Sequence, residues 1–170
     1  MSRWRPPSEK SSPYITAEGQ VRLKREFEQL WRARRPEVVR ALAAAAAEGD
    51  RSENAEYQYR KKELREIDAR LKYLTQRLED VKIVERQASS DGKIYFGAWV
   101  ELADEAGEPR RYRVVGADET DSTIGWISVD SPLARALLGR ASGEIVKVQL
   151  PGGAAEFEIK EVRYTGFDSA

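Results

Sequence analysis

The stretch 47-AEGDRSENAEYQYRKKELREID-68 places a short polar break between two long segments with apolar periodicity. Before the break, apolar residues recur at helical spacing and lead into an alanine run: Leu23, Phe27, Leu30, Trp31, Val38 and Leu42. After it, they follow the heptad spacing of a coiled coil: Tyr57, Leu64, Ile67, Leu71, Leu74, Leu78 and Val81. Because the break is so short, we predict an antiparallel helical hairpin formed within one chain, and hence a monomer.

Local signals predict how the first arm of the hairpin begins and ends. Thr16 is the predicted N-cap, and Gly49 is the residue expected to end the arm. Pro36 lies inside the arm and is expected to kink or interrupt the helix near Arg35. With roughly 30 residues in each arm, the hairpin would reach about 45 Å.

The two acids in the break, Asp50 and Glu53, admit two interpretations. In the structural one, Asp50 caps the second helix with Glu53 as its capping-box partner, or Ser52 is the cap and both acids favour the helix N-terminus. In the functional one, the two carboxylates bind a metal ion. Magnesium prefers six oxygen ligands, so two carboxylates would form half a site that another molecule completes. The local sequence leaves both interpretations open.

From about residue 92 the apolar period changes to two. Five segments read as strands: YFGAWVEL, RRYRVVGA, TIGWISV, EIVKVQL and EFEIKEV. Between two of them, 130-DSPLARALLGR-140 predicts a short helix with Ser131 as N-cap and Pro132 at its first position. The predicted class is therefore α+β: a hairpin over residues 14–85, a boundary near residues 86–92, and a β-rich domain with one short helix over residues 92–170. Residues 1–13 are rich in proline and serine and are expected to be disordered.

The composition limits the chemistry that this chain can perform. It has no cysteine and no histidine, which excludes a zinc–thiolate site, a thiol nucleophile and a histidine base. Any metal ion would be a hard cation held by oxygen, such as magnesium or calcium. No apolar run approaches the roughly 18 residues of a membrane span, and no signal-peptide core is present. We expect a cytoplasmic protein with no membrane partner.

A basic run follows the break and includes Arg60, Lys61, Lys62 and Arg65. Such side chains can follow a nucleic-acid backbone by charge alone. The alternative is a solvated helix face with pairs such as Lys62–Glu66, and for the run taken alone this alternative is the better one. Tyr59 is a candidate for base stacking, whereas Tyr57 fits the heptad pattern.

Two segments together resemble a known family. GDRSENAEYQY, followed by KKELREID, and then ISVDSPLARALL are similar to the bacterial Gre transcript-cleavage factors of the GreB type. The stretches 82-KIVE-85, 94-IYFGAWVEL-102 and RYRVVG at 111–116 extend the resemblance, which runs from about Tyr14 to Tyr164. It implies a coiled-coil hairpin followed by an FKBP-like domain.

The resemblance also implies a function. Such factors bind RNA polymerase, insert the coiled coil into its secondary channel and stimulate cleavage of backtracked nascent RNA at its 3′ end. The tip acids help the polymerase to hold a second Mg²⁺ ion, so the factor is not itself an enzyme. The protein would be associated with the nucleoid through the polymerase.

The resemblance assigns three groups of residues. The tip acids that share the magnesium ion are matched by Asp50 and Glu53, with Asn54 beside them. The loop that docks on the channel rim is matched by Asp130, Ser131 and Pro132. The patch that contacts RNA is matched by Arg60, Lys61, Lys62 and Arg65. No role is implied for residues 1–13, which are longer than the family leads us to expect.

Three alternatives make different predictions. A Gre-like protein that occupies the same channel and inhibits cleavage is the nearest, but the intact Asp50–Glu53 pair favours stimulation. A coiled-coil module that holds unfolded clients predicts an apolar tip, and the break is polar. A free-standing metal nuclease predicts three or more acids clustered at one site within this chain, and we identify no such site in the sequence.

Overall fold

The computed structural model describes residues 10–49, 51, 53–85 and 91–167. The chain divides into two compact units, one of residues 20–81 and the other of the segments up to Gly19 and from Lys82 onward. Within the described residues, no helix combines the length and the apolar character needed to cross a bilayer.

The helical unit is an antiparallel hairpin. Its elements are α1 (Ala17–Gln29), a π-helical turn (Leu30–Arg34), α2 (Arg35–Ala47) and α3 (Ala55–Asp80). Ion pairs link the two arms: Glu26 pairs with Arg70 at 2.6 Å, and Arg34 pairs with Glu63. A residue later in the first arm thus pairs with a residue earlier in α3. This order confirms the predicted antiparallel hairpin.

Apolar side chains hold the arms together from within. Val38, Ile67 and Leu71 are buried, and partly buried Phe27, Leu30 and Leu64 pack against them. Removing a side chain of this size from water contributes about 1.5–3 kcal/mol. All six belong to the apolar positions identified in the sequence, so the packing face of each helix was correctly predicted.

Trp31 is the exception, because the helix changes type around it. The Arg35 N–H donates to the Leu30 carbonyl, five residues back, and so closes a π-helical turn directly before Pro36. This turn is the interruption predicted at Pro36. Since a π-turn holds more residues than an α-turn, it shifts side chains relative to the apolar stripe. Trp31 is 53% exposed, and its assignment to the stripe is therefore wrong.

The second unit is β-rich. Its strands are β1 (Tyr14–Ile15), β2 (Lys82–Ile83), β3 (Trp99–Ala103), β4 (Pro109–Val115), β5 (Trp126–Ser128), β6 (Ile145–Leu150) and β7 (Gly153–Arg163). The last five form one sheet in the order β5-β4-β3-β7-β6, antiparallel except for the parallel pair β4–β5. Two short 3₁₀ turns (Ala117–Glu119 and Ser122–Ile124) precede β5.

One short α-helix, α4 (Pro132–Leu137), covers a face of this sheet. Its buried residues Leu133, Ala134 and Leu137 pack with the inward-facing side chains of the strands. Ser131 is its N-cap and Pro132 its first residue, as predicted. The predicted β-rich domain with one short helix is confirmed.

Strands β1 and β2 form a separate parallel pair at the two ends of the hairpin sequence. Tyr14 is in register with Lys82, and Ile15 with Ile83. The Lys82 N–H also donates to the Pro13 carbonyl at 2.7 Å. Residues on both sides of the hairpin thus belong to the β-rich unit, although the sequence pattern grouped residues 14–85 with the helices.

A buried acid, Glu119, holds the segment that leads into α1. Its side chain is 1% exposed and accepts hydrogen bonds from the backbone N–H groups of Thr16 (3.0 Å) and Gly116 (2.9 Å) and from the Thr16 hydroxyl. The Thr16 hydroxyl oxygen accepts from the Gly19 N–H at 3.0 Å, which confirms the predicted N-cap. A Cβ at Gly19 would lie 2.1 Å from Glu119 Oε1, so this contact requires glycine.

We predict that Gly19→Ala lowers the free energy of unfolding by about 1–3 kcal/mol through overpacking, although alanine is favoured over glycine in a helix by about 0.5–1 kcal/mol. Urea denaturation would measure the change. Gly152→Ala is the matched control, because a Cβ there meets no atom within 4 Å. A Gly19→Ala protein as stable as the wild type would contradict the close packing around Glu119.

Candidate functional site: the hairpin tip and the loop before α4

The tip of the hairpin is a polar turn between α2 and α3. The first arm ends at Ala47, and Gly49 has φ 136°, a conformation that favours glycine, so the predicted end of the arm is confirmed. Glu53 follows in the turn and is exposed. Asp50, the other predicted tip acid, lies outside the described residues, as does Ser52.

Asn54 closes the turn by contacting both helices. It is the N-cap of α3, where its Oδ1 accepts from the Tyr57 N–H at 3.1 Å. Its Nδ2 donates to the carbonyl of Ala45, in the last turn of α2, at 2.8 Å. One side chain therefore accepts from an N-terminal N–H of α3 and donates to a C-terminal carbonyl of α2, which also accepts from the Glu48 N–H at 3.3 Å.

This geometry corrects the capping interpretation of the acids. The N-cap of α3 is Asn54, a position that the capping interpretation gave to Asp50 or to Ser52. Glu53 precedes the cap and therefore does not occupy the third helical position of a capping box. Asparagine is among the preferred N-cap residues, but aspartate and serine share this preference, so it did not distinguish Asn54 from Asp50 and Ser52.

The exposed Glu53 carboxylate is suited to contact another molecule. The described residues contain no group of three or more acidic side chains that could hold a metal ion. The predicted pair would supply two carboxylates at most, which suits a hard cation such as magnesium but leaves most of its six coordination positions to water or to a partner.

The four basic residues beyond the tip are not equivalent. Arg60 donates to Glu56 at 2.7 Å and to Glu63 at 3.0 Å. These bonds, that to Glu56 foremost, raise the pKa of the Arg60 guanidinium above its ordinary value. Because Glu63 also binds Arg34, Arg60 belongs to an ion-pair network that joins the two arms.

The other three cations are exposed. Lys61 lies 5.9 Å from the centre of the Tyr57 ring, and Lys62 lies 3.8 Å from Glu66, the helix pair foreseen as the alternative for this run. That separation leaves a weak, solvated pair, since exposed pairs contribute little. Positive charge is therefore presented to solvent by Lys61, Lys62 and Arg65. Arg60 is instead paired with acids of the hairpin.

The aromatic residues of this region also differ. Tyr59 is 58% exposed, and the Arg60 guanidinium lies 5.3 Å from its ring centre. Tyr57 is partly buried, as its heptad position predicts. The sequence left the role of Tyr59 undecided, and its exposure leaves its ring open to an incoming group.

The predicted docking loop lies directly before α4. The Ser131 hydroxyl accepts from the Ala134 N–H at 3.2 Å, so this residue shapes the helix start, and Pro132 is exposed. The Asp130 N–H donates to the Ser128 hydroxyl at 3.1 Å. Asp130 Oδ2 accepts from the backbone N–H of Ser12 at 2.8 Å. Sequence reasoning missed Ser12, since a backbone donor 118 positions away leaves no local signal.

A helical hairpin with a polar tip, followed by a β-rich domain, defines a class that comparison with known proteins identifies. The family model for the N-terminal domain of transcription elongation factors matches residues 13–83, and that for the GreA/GreB C-terminal domain matches residues 89–164. The chain belongs to the GreA/GreB family of transcription elongation factors, and the resemblance seen in the sequence is confirmed.

Two GreB proteins agree with this assignment. The transcription elongation factor GreB of Xanthomonas axonopodis pv. citri is 59% identical over 165 residues, covering 96% of this chain and 98% of the relative. GreB of Pseudomonas aeruginosa is 51% identical over 164 residues, with the same coverage. Among solved structures, Gfh1 of Thermus aquaticus is similar, with 29% identity, a TM-score of 0.42, and coverage of 91% of this chain and 99% of that one.

We predict that Asn54→Ala lowers the free energy of unfolding by about 1–2 kcal/mol, because α3 loses its cap and α2 loses a partner for its carbonyl. Asn54→Asp keeps the acceptor for Tyr57 but not the donor to Ala45, so its loss should be smaller. Urea denaturation followed by circular dichroism would measure both. Equal losses in the two variants would show that the cap contributes nothing.

Proposed function

We propose that this protein binds RNA polymerase, inserts its helical hairpin into the secondary channel and stimulates cleavage of backtracked nascent RNA by the polymerase. The observation that carries the proposal is the polar tip with its exposed Glu53, in a chain that elongation-factor models match in both halves. Rescue of an arrested complex follows, because cleavage returns the RNA 3′ end to register. A partner of this kind places the protein in the cytoplasm.

The hairpin suits a water-filled channel. The apolar residues of its core pack between the arms, and charged side chains cover much of its outside, several of them paired with a neighbour on the same helix or across the arms. With 26 residues, α3 alone extends about 39 Å. A protein that holds unfolded clients would need an apolar tip, whereas Glu53 and Asn54 make this one polar.

The chemistry belongs to the polymerase, and the tip of this chain would complete it. Asp50 and Glu53 would add carboxylate oxygens to those that the polymerase supplies, so that a second Mg²⁺ is shared between the two proteins. When bound, such an ion lowers the pKa of an attacking water and stabilises the charge that develops at the phosphate. Two carboxylates are too few to hold this ion tightly in the free protein.

The remaining residues would orient the RNA and the factor. Lys61, Lys62 and Arg65 are exposed cations that suit the phosphates near the RNA 3′ end, and Arg60 would instead keep the arms aligned. The loop of Asp130, Ser131 and Pro132 would dock on the channel rim, with the Asp130 carboxylate as its charged group. The protein would act as a monomer.

We predict that Asp50→Asn slows factor-stimulated cleavage on the order of a hundredfold while the protein still binds the polymerase, because one oxygen ligand of the shared ion is lost. A stalled, backtracked elongation complex with 5′-labelled RNA would report cleavage, and competition with labelled wild type would report binding.

Glu48→Gln is the matched control, because it removes one negative charge beside the tip from an exposed residue with no proposed role. An Asp50→Asn protein that cleaves like the control would remove the metal role of the tip. Wild type that binds without stimulating cleavage would identify an inhibitor of the same channel instead.

We predict that Asp130→Ala weakens binding to the polymerase on the order of tenfold, because a charged hydrogen-bond acceptor is lost from the docking loop. The thermal midpoint of the free protein should change little. Glu105→Ala, in the exposed turn between β3 and β4, is the control for the loss of one acidic charge. Competition against wild type that is unchanged by Asp130→Ala would contradict this assignment.

A further inference from the structure

The segment before α1 contacts the loop proposed to dock on the polymerase. The Ser12 N–H donates to Asp130 Oδ2 at 2.8 Å, and the contact is partly shielded from solvent. Residues 1–9 of the segment predicted to be disordered lie outside the described residues. Residues 10–13 lie within them, and Ser12 makes this specific contact.

The donor is held in place by the residues that follow it. We call residues 12–16 the strap. The Pro13 carbonyl accepts from the Lys82 N–H at 2.7 Å, and Tyr14 and Ile15 form strand β1 against β2. Thr16 is fixed by its hydrogen bonds to Glu119. The four residues that follow Ser12 are thus held by hydrogen bonds or strand pairing. The Ser12 N–H is therefore directed at Asp130 Oδ2 in the free protein.

The acceptor is constrained from its other side. The Asp130 N–H donates to the Ser128 hydroxyl at 3.1 Å, and this bond fixes the backbone of the loop. A carboxylate offers about four lone-pair positions, and Ser12 occupies one of them. Asp130 Oδ2 is thus oriented, and Oδ1 is the oxygen that would contact a partner. A charged group whose rotamer is already fixed loses less conformational entropy on binding.

We propose that the backbone N–H of Ser12 is a positioning group that holds the Asp130 carboxylate in its docking orientation. Asp130 makes the contact with the partner, and Ser12 acts through it. The partner group is a cation or a strong hydrogen-bond donor on the polymerase surface. The inference rests on the proposed function in that Asp130 is taken as the docking acid, and it gives the strap a role.

Proline substitution isolates the donor. Ser12→Pro removes the N–H, and Ser12 already precedes Pro13, which favours the extended backbone that a second proline also adopts. Ser11→Pro is the matched control, with the same substitution at the adjacent exposed position. Ser12→Ala keeps the N–H and removes only the hydroxyl, so it should weaken binding less than Ser12→Pro.

The test measures competition with labelled wild type for RNA polymerase. We expect Ser12→Pro to bind about three- to tenfold more weakly than wild type, a change of the size that one typical hydrogen bond contributes, and Ser11→Pro to bind like wild type. In an Asp130→Ala background, Ser12→Pro should cause no further loss, because its effect passes through the carboxylate. A merely structural role would cause the same loss in both backgrounds and would overturn the proposal.

Two other results would also overturn it. Tighter binding by Ser12→Pro would show that the strap shields Asp130 instead of positioning it. Unchanged binding would show that the contact does not matter. Amide hydrogen exchange in the free protein tests the bond without the polymerase: the Ser12 N–H should exchange more slowly than that of Ser11, and Asp130→Ala should remove this protection. Wild type that fails to bind would instead refute the proposed function, and with it the positioning role.

Discussion

The geometry of the hairpin tip depends on the two hydrogen bonds of the Asn54 side chain. One caps α3 and the other binds the Ala45 carbonyl at the end of α2, so the ends of both helices are fixed by one residue. Within a short polar turn, one terminal backbone group of each helix thus has a side-chain partner. Glu53 owes its exposed position, directly before the cap, to this arrangement. A tip built in this way presents a carboxylate and needs no apolar contact of its own.

The β-rich unit is organised around a second set of polar contacts. Buried Glu119 binds Thr16 at the start of α1, and Asp130 binds Ser12 four residues earlier in the chain. The strap binds both acids, and its residues Tyr14 and Ile15 pair with Lys82 and Ile83, which follow the hairpin in the chain. The proposed docking loop and the first turn of α1 are therefore attached to one short run of backbone. These contacts hold residues 12–16 in place within the β-rich unit.

Periodicity made most of the fold predictable. The heptad pattern around Ile67 and Leu71 identified the packing face of α3, and alternation identified the strands of the sheet. The failures have local causes. Three residues that favour N-caps lie within five positions at the tip, so the sequence could not single out Asn54. The π-turn before Pro36 moved Trp31 out of the apolar stripe. The strap contacts join distant residues through backbone groups, for which side-chain patterns carry no information.

The central claim is that the tip helps the polymerase to hold a second magnesium ion. The most direct test is the Mg²⁺ concentration at which RNA cleavage in a backtracked complex is half-maximal, measured without the protein, with wild type and with Glu53→Gln. The account predicts that wild type lowers this concentration on the order of tenfold and that Glu53→Gln returns it toward the value without the protein. A magnesium requirement that is the same with and without the protein, although cleavage is faster, would contradict the account.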